Sequence, residues 1–222
     1  LGLKSVAVID RVCTQVKINQ QEIPLDDDQT YTMLNKGRTT GVFQYEGHRI
    51  TKFLQEFAPR RFEDLVVANA LYRPGPLDSG MAKNYINRRH SSDDGWKMDM
   101  HPILYEITKE TYGIVVFQEQ VIQVAVKLPG FSNSKADIMR RAIGKKDKSL
   151  MHTLKRDFVD GCLKNGHTKA FAANMFHQCE TFERYGWNKA HSVVYGLITY
   201  KTAYLKCHYP VEFYCAMLSL ED

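Results

Sequence analysis

The sequence has no closely spaced cysteine pair. Cys13, Cys162, Cys179, Cys207 and Cys215 are scattered and odd in number, with no C-x-x-C among them. That pattern argues against a disulfide framework and shows no zinc-site spacing, and reduced thiols fit a cytoplasmic protein. No apolar run approaches the roughly 20 residues that cross a bilayer. The N-terminus carries no basic-then-apolar leader pattern, so neither a membrane role nor export is expected. Internal repeats and low-complexity tracts are also absent, leaving no case for a tail or a fibre. Nor is there a large charge excess: 30 Lys and Arg stand against 25 Asp and Glu, a formal +5. Such a balance admits a polyanionic partner without demanding one. The chain starts at Leu1 instead of Met, with helix-like text already running from Leu3 to Ile9, as expected for a segment of something longer.

What is present is the composition of a globular protein, 222 residues with 44% hydrophobic and 25% charged side chains. That length buries a core for one large domain or two small ones. The distribution of charge says more than its sum. From Arg184 to His208 there are Arg184, Lys189, Lys201 and Lys206 and no acid, and from Lys135 to Lys148 six basic residues face only Asp137 and Asp147. Each stretch reads either as an anion-binding surface or as a solvated face.

Periodicity predicts a mainly α fold of many helices with at most a few short strands. Helices are expected over about 3–18, through Met33 to Lys36 with Asp27 or Asp28 as cap, over 47–57, over 61–70, and from Pro102 through Ile107. Thr40 to Tyr45 reads as a short strand or turn. Leu71 to Gly80 holds two prolines and two glycines and is expected to be a rigid loop, while His90 to Lys97 reads as a flexible connection. Further helices are expected over 115–128, whose valines also permit a short strand at the start, over 135–143 with a Ser134–Asp137 capping box and Gly144 as stop, and from an Asp147 cap to Leu163. Thr168 caps the next through Cys179, Asn188 to His208 forms another, and Pro210 opens the last.

Three segments carry chemistry beyond packing. In Ala136 to Lys146, Arg140 and Arg141 sit about 100° apart on a helix, with Lys145 and Lys146 beyond Gly144. Their long side chains can converge on a triphosphate, because guanidinium forks bind oxygens bidentately; a solvated helix face is the alternative. In Phe182 to Ser192, a glycine turn leads into a helix on which Asn188, His191 and Tyr195 fall at i, i+3 and i+7 and share a face. That face lies at the positive end of the helix, where backbone amides favour an anion. The third segment is the Arg73-Pro74-Gly75-Pro76 stretch, followed by Lys83, Arg88 and Arg89. It either tracks a nucleic-acid backbone or makes a structural corner. Tyr185, Trp187 and Tyr195 offer stacking faces for a base or serve as core.

These segments, in this order, resemble the fingers of the bacterial C-family replicative DNA polymerases, the polymerase III alpha subunits. The resemblance rests on Gly41-Val42-Phe43-Gln44, Arg73-Pro74-Gly75-Pro76, Tyr112-Gly113, Gln118-Glu119-Gln120, Arg140-Arg141-Ala142, Gly144-Lys145-Lys146 and Asn188-Lys189-x-His191-Ser192, and it spans the whole chain. Two positions depart from the family pattern: Trp187 stands where a smaller aromatic is usual, and Tyr45 replaces a leucine.

The resemblance implies residues 1–36 as the C-terminal edge of a palm and its connection, and 37–222 as a nucleotide-binding fingers domain. It implies template-directed addition of a deoxynucleotide to a DNA primer by the parent enzyme, with Mg2+ clamping the reacting oxygens. The metal-binding palm aspartates precede Leu1 on this reading, so no catalytic or metal-binding residue is assigned within the chain. Arg140, Arg141, Asn188, His191, Lys145, Lys146 and Tyr185 would contact the incoming deoxynucleoside triphosphate. Arg73, Lys83, Arg88, Arg89 and Lys189 would contact primer-template DNA. The other implied partners are the remaining palm and thumb of the same polypeptide and the replisome subunits, with no membrane. The alternative is a non-catalytic helical module that binds nucleic acid; a hydrolase built on His191 and Cys179 has no supporting spacing.

Overall fold

The computed structural model describes residues 3–92, 95–98, 100–145, 147–183 and 186–220. Fourteen α-helices form among the described residues and no strand does; the only β feature among them is an isolated parallel bridge between Phe117 and Trp187. Along the chain, α1 is Lys4–Val16, α2 Asp28–Asn35, α3 His48–Phe57 and α4 Phe62–Leu71. Then come α5 (Pro74–Asp78), α6 (Met81–His90), α7 (Gly95–Met98), α8 (Pro102–Thr108), α9 (Gln118–Lys127) and α10 (Asn133–Lys145). The series ends with α11 (Lys148–Lys164), α12 (Lys169–Glu183), α13 (Lys189–His208) and α14 (Pro210–Leu218). No helix among the described residues is long and apolar enough to cross a membrane.

Most helix starts have a local cause that the sequence announces. Asp27 Oδ2 accepts the Thr30 amide at 2.8 Å and so caps α2, while Asp147 Oδ1 accepts the Leu150 amide at 3.1 Å at the head of α11. Thr168 Oγ1 accepts from the Phe171 amide at 3.2 Å and starts α12. Each supplies an acceptor for a backbone N–H that has no partner inside the helix.

Four expectations differ from what forms. The Leu71–Gly80 segment is not a continuous loop: Pro74–Asp78 forms α5, with Pro74 and Pro76 in its first turn, where a missing N–H costs nothing and the proline φ suits a helix. Within the connection expected from His90 to Lys97, Gly95–Met98 forms α7, and residues 93 and 94 lie outside the described residues. Of the strand or turn expected over 40–45, the turn is what forms: Val42 N–H donates to Thr39 O at 2.9 Å and Tyr45 N–H to Val42 O at 3.0 Å. Finally, α10 is capped from Ser132, whose Oγ accepts the Lys135 amide at 3.2 Å, not from Ser134. The helix also continues through Gly144 to Lys145, since glycine lowers helix stability without ending a helix by itself.

The chain divides into two compact units, Leu1–Tyr72 with Ala190–Asp222, and Arg73–Lys189. In the first, α1 packs on α14, and Leu34, Leu54, Phe57, Leu65, Tyr200 and Phe213 are fully buried. Tyr45 is 1% exposed and donates its hydroxyl to Leu65 O at 3.4 Å, so the ring is buried without leaving its oxygen unpaired. Polar residues of α13 fix the 40–45 turn: Thr202 Oγ1 accepts Phe43 N–H at 3.1 Å and Thr199 Oγ1 donates to Phe43 O at 3.2 Å.

The second unit is a helical cluster in which α9, α10, α11 and α12 pack on one another around Val121, Leu128, Met139, Phe158, Cys162 and Phe176. Gly161 permits this packing. A Cβ there would come within 2.4 Å of Pro129 O, so α11 meets the α9–α10 connection backbone to backbone.

Candidate functional site

The N-terminal turn of α9 is the hub of the candidate site, and its three residues have three separate tasks. Gln120 is 7% exposed and its carboxamide makes four hydrogen bonds. Its Oε1 accepts the amides of Val116 at 2.7 Å and Phe117 at 3.0 Å, and its Nε2 donates to Ile107 O at 3.1 Å and Thr111 Oγ1 at 2.8 Å. A buried carboxamide satisfied on both sides fixes the backbone entering α9.

Gln118 then joins two further segments to that fixed point. Its backbone N–H donates to Trp187 O at 3.0 Å, which is half of the Phe117–Trp187 bridge. Its Oε1 accepts from Arg140 Nη1 at 3.2 Å, tying α10 to α9. Glu119 completes the arrangement by accepting from Asn188 Nδ2 at 2.9 Å and from the Lys189 amide at 3.0 Å on both carboxylate oxygens. The start of α13 therefore receives an intramolecular carboxylate, so the first amide expected to attract an external anion already has one.

Arg140 and Arg141 converge, as adjacent arginines can when they reach one anion. Arg140 Nε and Nη2 each lie 3.0 Å from Asp137 Oδ1, and Arg141 Nη2 lies 2.7 Å from Asp137 Oδ2. Hydrogen bonding from Arg140, helped by the charge of both guanidiniums, holds the Asp137 carboxyl below the usual carboxylate range against its partial desolvation. The two forks differ in freedom, because the side chain of Arg140 is 21% exposed and that of Arg141 is 65% exposed.

The remaining cations of this unit divide by role. Arg73 stacks with its Cζ 4.2 Å from the centroid of the half-buried Trp187 ring, and burial pulls its pKa down. Arg88 donates Nη1–H to Tyr112 O at 3.0 Å and lies 5.9 Å from the Trp96 ring, a bracing position within the unit. Lys189 Nζ is 3.8 Å from Glu110 Oε2, and Arg89 is half-buried, whereas Lys83 and Lys145 are exposed. Lys146 and Tyr185 lie outside the described residues.

His191 belongs to the first unit. It is exposed, and its ring stands 4.1 Å from that of Tyr195 at 37°, as the shared helix face predicts. The structure thus groups Arg140 with Arg141, and Asn188 with Lys189, about the residues Gln118 and Glu119. Sequence reasoning quotes Gln118-Glu119-Gln120 only as part of a motif and gives Asp137 only a capping role. The signal for their tasks is faint: a Gln-Glu-Gln run opening a helix, and an acid three and four residues before two arginines. The grouped side chains offer guanidinium forks, a carboxamide and an aromatic face, groups that hydrogen-bond and stack.

The bacterial DNA polymerase III alpha subunit finger domain is the family whose model matches residues 5–166. The chain is 41% identical over 227 residues to the DNA polymerase III subunit alpha of Aquifex aeolicus, a match covering 100% of this chain and 19% of that protein. It is 41% identical over 230 residues to the protein of the same name from Campylobacter jejuni, covering 100% of this chain and 19% of that protein. With the Staphylococcus aureus protein of that name the identity is 38% over 225 residues, covering 99% of this chain and 21% of the relative. The chain spans about a fifth of the length of the curated relatives it matches.

Proposed function

Since the chain belongs to the bacterial DNA polymerase III alpha subunit finger domain family, we propose that it binds the triphosphate of an incoming deoxynucleotide for template-directed DNA synthesis. The observation that carries this reading is the convergence of Arg140 and Arg141 on the single carboxylate of Asp137, with Arg140 braced by Gln118. Two forks already oriented toward one anion need little reordering to accept phosphate oxygens, so less side-chain entropy is lost on binding. Asp137 acts as the resident anion and yields to a triphosphate, which carries more charge and more acceptor oxygens. On this reading Asn188, His191, Lys145, Lys146 and Tyr185 contribute to the sugar and triphosphate contacts. Arg73, Lys83, Arg88, Arg89 and Lys189 face primer-template DNA on this reading.

The full polymerase uses Mg2+ to neutralise charge on the reacting phosphates. Among the described residues the one mixed donor cluster is Asp27, Cys207 and His208. A thiol and an imidazole suit Mg2+ poorly, since that ion takes oxygen ligands in octahedral geometry. The family resemblance assigns the ion to palm aspartates outside this chain, and on that reading this chain's residues bind, orient and shield the nucleotide. The parent enzyme acts in the cytoplasm with the rest of its own chain and other replisome subunits.

Primer extension by the polymerase carrying this chain tests the reading. Arg140→Ala should raise the nucleotide KM or lower kcat. Unchanged kinetics would remove Arg140 from the site. Tight, steeply salt-dependent binding of duplex DNA by the chain alone would favour a stand-alone nucleic-acid-binding module instead.

A further inference from the structure

The first unit brings together three metal-ligating side chains from distant parts of the sequence. Asp27 caps α2, and Cys207 and His208 close α13; one donor atom of each lies within 4.8 Å of the other two. His208 Nε2 stands 2.9 Å from Asp27 Oδ2. That same oxygen receives the Thr30 amide at 2.8 Å and the Thr30 hydroxyl at 2.6 Å, which leaves Asp27 Oδ1 with no donor among the described residues. Tyr200 holds the far side of the same residue by accepting the Asp27 amide at 3.1 Å.

We propose that Asp27, Cys207 and His208 form a zinc site of three protein ligands with a fourth position open to solvent. The donor set decides the metal. A thiolate and an imidazole favour Zn2+ over Mg2+ or Ca2+, and a carboxylate oxygen is a third donor type that zinc accepts. One edge of the site, between His208 and Asp27, is near what the ion needs: Zn–N and Zn–O bonds of about 2.0–2.1 Å set an N···O edge of about 3.3 Å. Opening the 2.9 Å His208–Asp27 contact by a few tenths of an ångström reaches it.

Two surrounding features support the assignment. Thr30 and Tyr200 already orient Asp27 from outside the cluster, as partners of metal ligands do. Cys207 also lines a cleft of about 470 Å3 with Asp28, Thr32, Lys36 and Arg38, so the thiol side of the cluster can be reached from solvent. Burial, with the neighbouring Asp27 charge, holds the Cys207 thiol above its ordinary pKa, and a bound cation reverses that preference.

Cobalt substitution reads the site directly, because a thiolate bound to Co2+ gives a charge-transfer absorption that oxygen and nitrogen ligands do not. Titration of the purified protein with Co2+ should produce that band at one equivalent, and Zn2+ should abolish it by displacement. Cys207→Ser and His208→Gln should each weaken binding by more than about 100-fold, beyond the range of groups that merely position a ligand. Cys215→Ala, which removes an exposed cysteine outside the cluster, should leave the titration unchanged. A second measurement on the unaltered chain guards against a variant that fails to fold: Zn2+ should slow alkylation of Cys207, mapped by mass spectrometry, and leave Cys215 alkylation unaffected. Absence of the thiolate band, its survival in Cys207→Ser, or equal alkylation of Cys207 with and without Zn2+ would each overturn the assignment.

Discussion

Arg140 donates Nη1–H to Gln118 Oε1 at 3.2 Å, and that bond ties the proposed phosphate-binding helix to the segment carrying Trp187 and Asn188. Arg140 consequently has two duties, one toward Asp137 and one toward α9. A lysine can serve only one of them, because an ammonium lacks the planar fork that reaches two acceptors at fixed angles.

Arg140→Lys should therefore behave as a damaging change despite keeping the charge. Loss of a charge-assisted hydrogen bond costs about 1.5–3 kcal/mol, so kcat/KM for nucleotide addition should fall by about 10- to 150-fold. Gln118→Leu removes the brace and spares the guanidinium, and its effect should be smaller and expressed mainly in KM. Steady-state primer extension at varied nucleotide concentration separates the two; equal activity of Arg140→Lys and the parent would refute the brace.

Glu119 supports a second prediction, on local order. Its carboxylate accepts the Lys189 amide at 3.0 Å and Asn188 Nδ2 at 2.9 Å. Glu119→Ala should speed hydrogen exchange at the Lys189 amide and cost about 0.5–2 kcal/mol, the range for loss of a helix cap. Glu119→Gln keeps one acceptor oxygen and should lose less. Unaltered exchange at Lys189 in the alanine variant would show that this carboxylate does not hold the start of α13.

His101 gives a pH-dependent prediction. Its Nδ1 accepts the Ile103 amide at 3.2 Å at the head of α8, which requires a neutral ring, and His167 lies 5.1 Å away between ring centroids. Burial, followed by the charge of His167, lowers the His101 pKa below its ordinary value of 6.5. A depressed histidine pKa means that the unfolded chain binds the proton more readily. The contribution to stability is thus present above pH 6.5 and is lost as pH falls through the folded value. Denaturation at a series of pH values should show that loss, and His101→Asn, which keeps a capping acceptor without a titrating ring, should flatten it.

Much of this architecture was legible because it depends on neighbours in sequence. Asp27, Asp147 and Thr168 cap the helices that follow them, and apolar spacing marks α3 and α9. The Pro74–Asp78 helix was not, because proline and glycine content alone does not distinguish the first turn of a helix from a loop. The adjacency of Arg140 and Arg141 was visible in sequence, but the anion on which they meet required the helical turn that places Asp137 three and four residues before them. Glu119 and Asn188 lie 69 positions apart, and Asp27 and His208 lie 181 apart, so no local pattern encodes either pairing.

Two glycines in helix interiors give a final prediction with opposite signs. In an exposed helix, Gly→Ala stabilises by about 1 kcal/mol through reduced backbone entropy. At Gly196 in α13 the nearest atoms to a new methyl are Val66 Cγ2 at 3.4 Å and Phe62 Cε2 at 3.5 Å, ordinary van der Waals contacts, so Gly196→Ala should be neutral or stabilising. At Gly161 in α11 the same methyl would meet Pro129 O at 2.4 Å and Pro129 C at 3.0 Å. Backbone atoms cannot swing aside as a flexible side chain can, and α11 would have to move away from the α9–α10 connection. Overpacking of that kind costs about 1–3 kcal/mol, enough to outweigh the entropic gain, so Gly161→Ala should lower the denaturation midpoint while Gly196→Ala leaves or raises it. Equal midpoints for the two variants would mean that α11 and Pro129 are not held in the close backbone contact described.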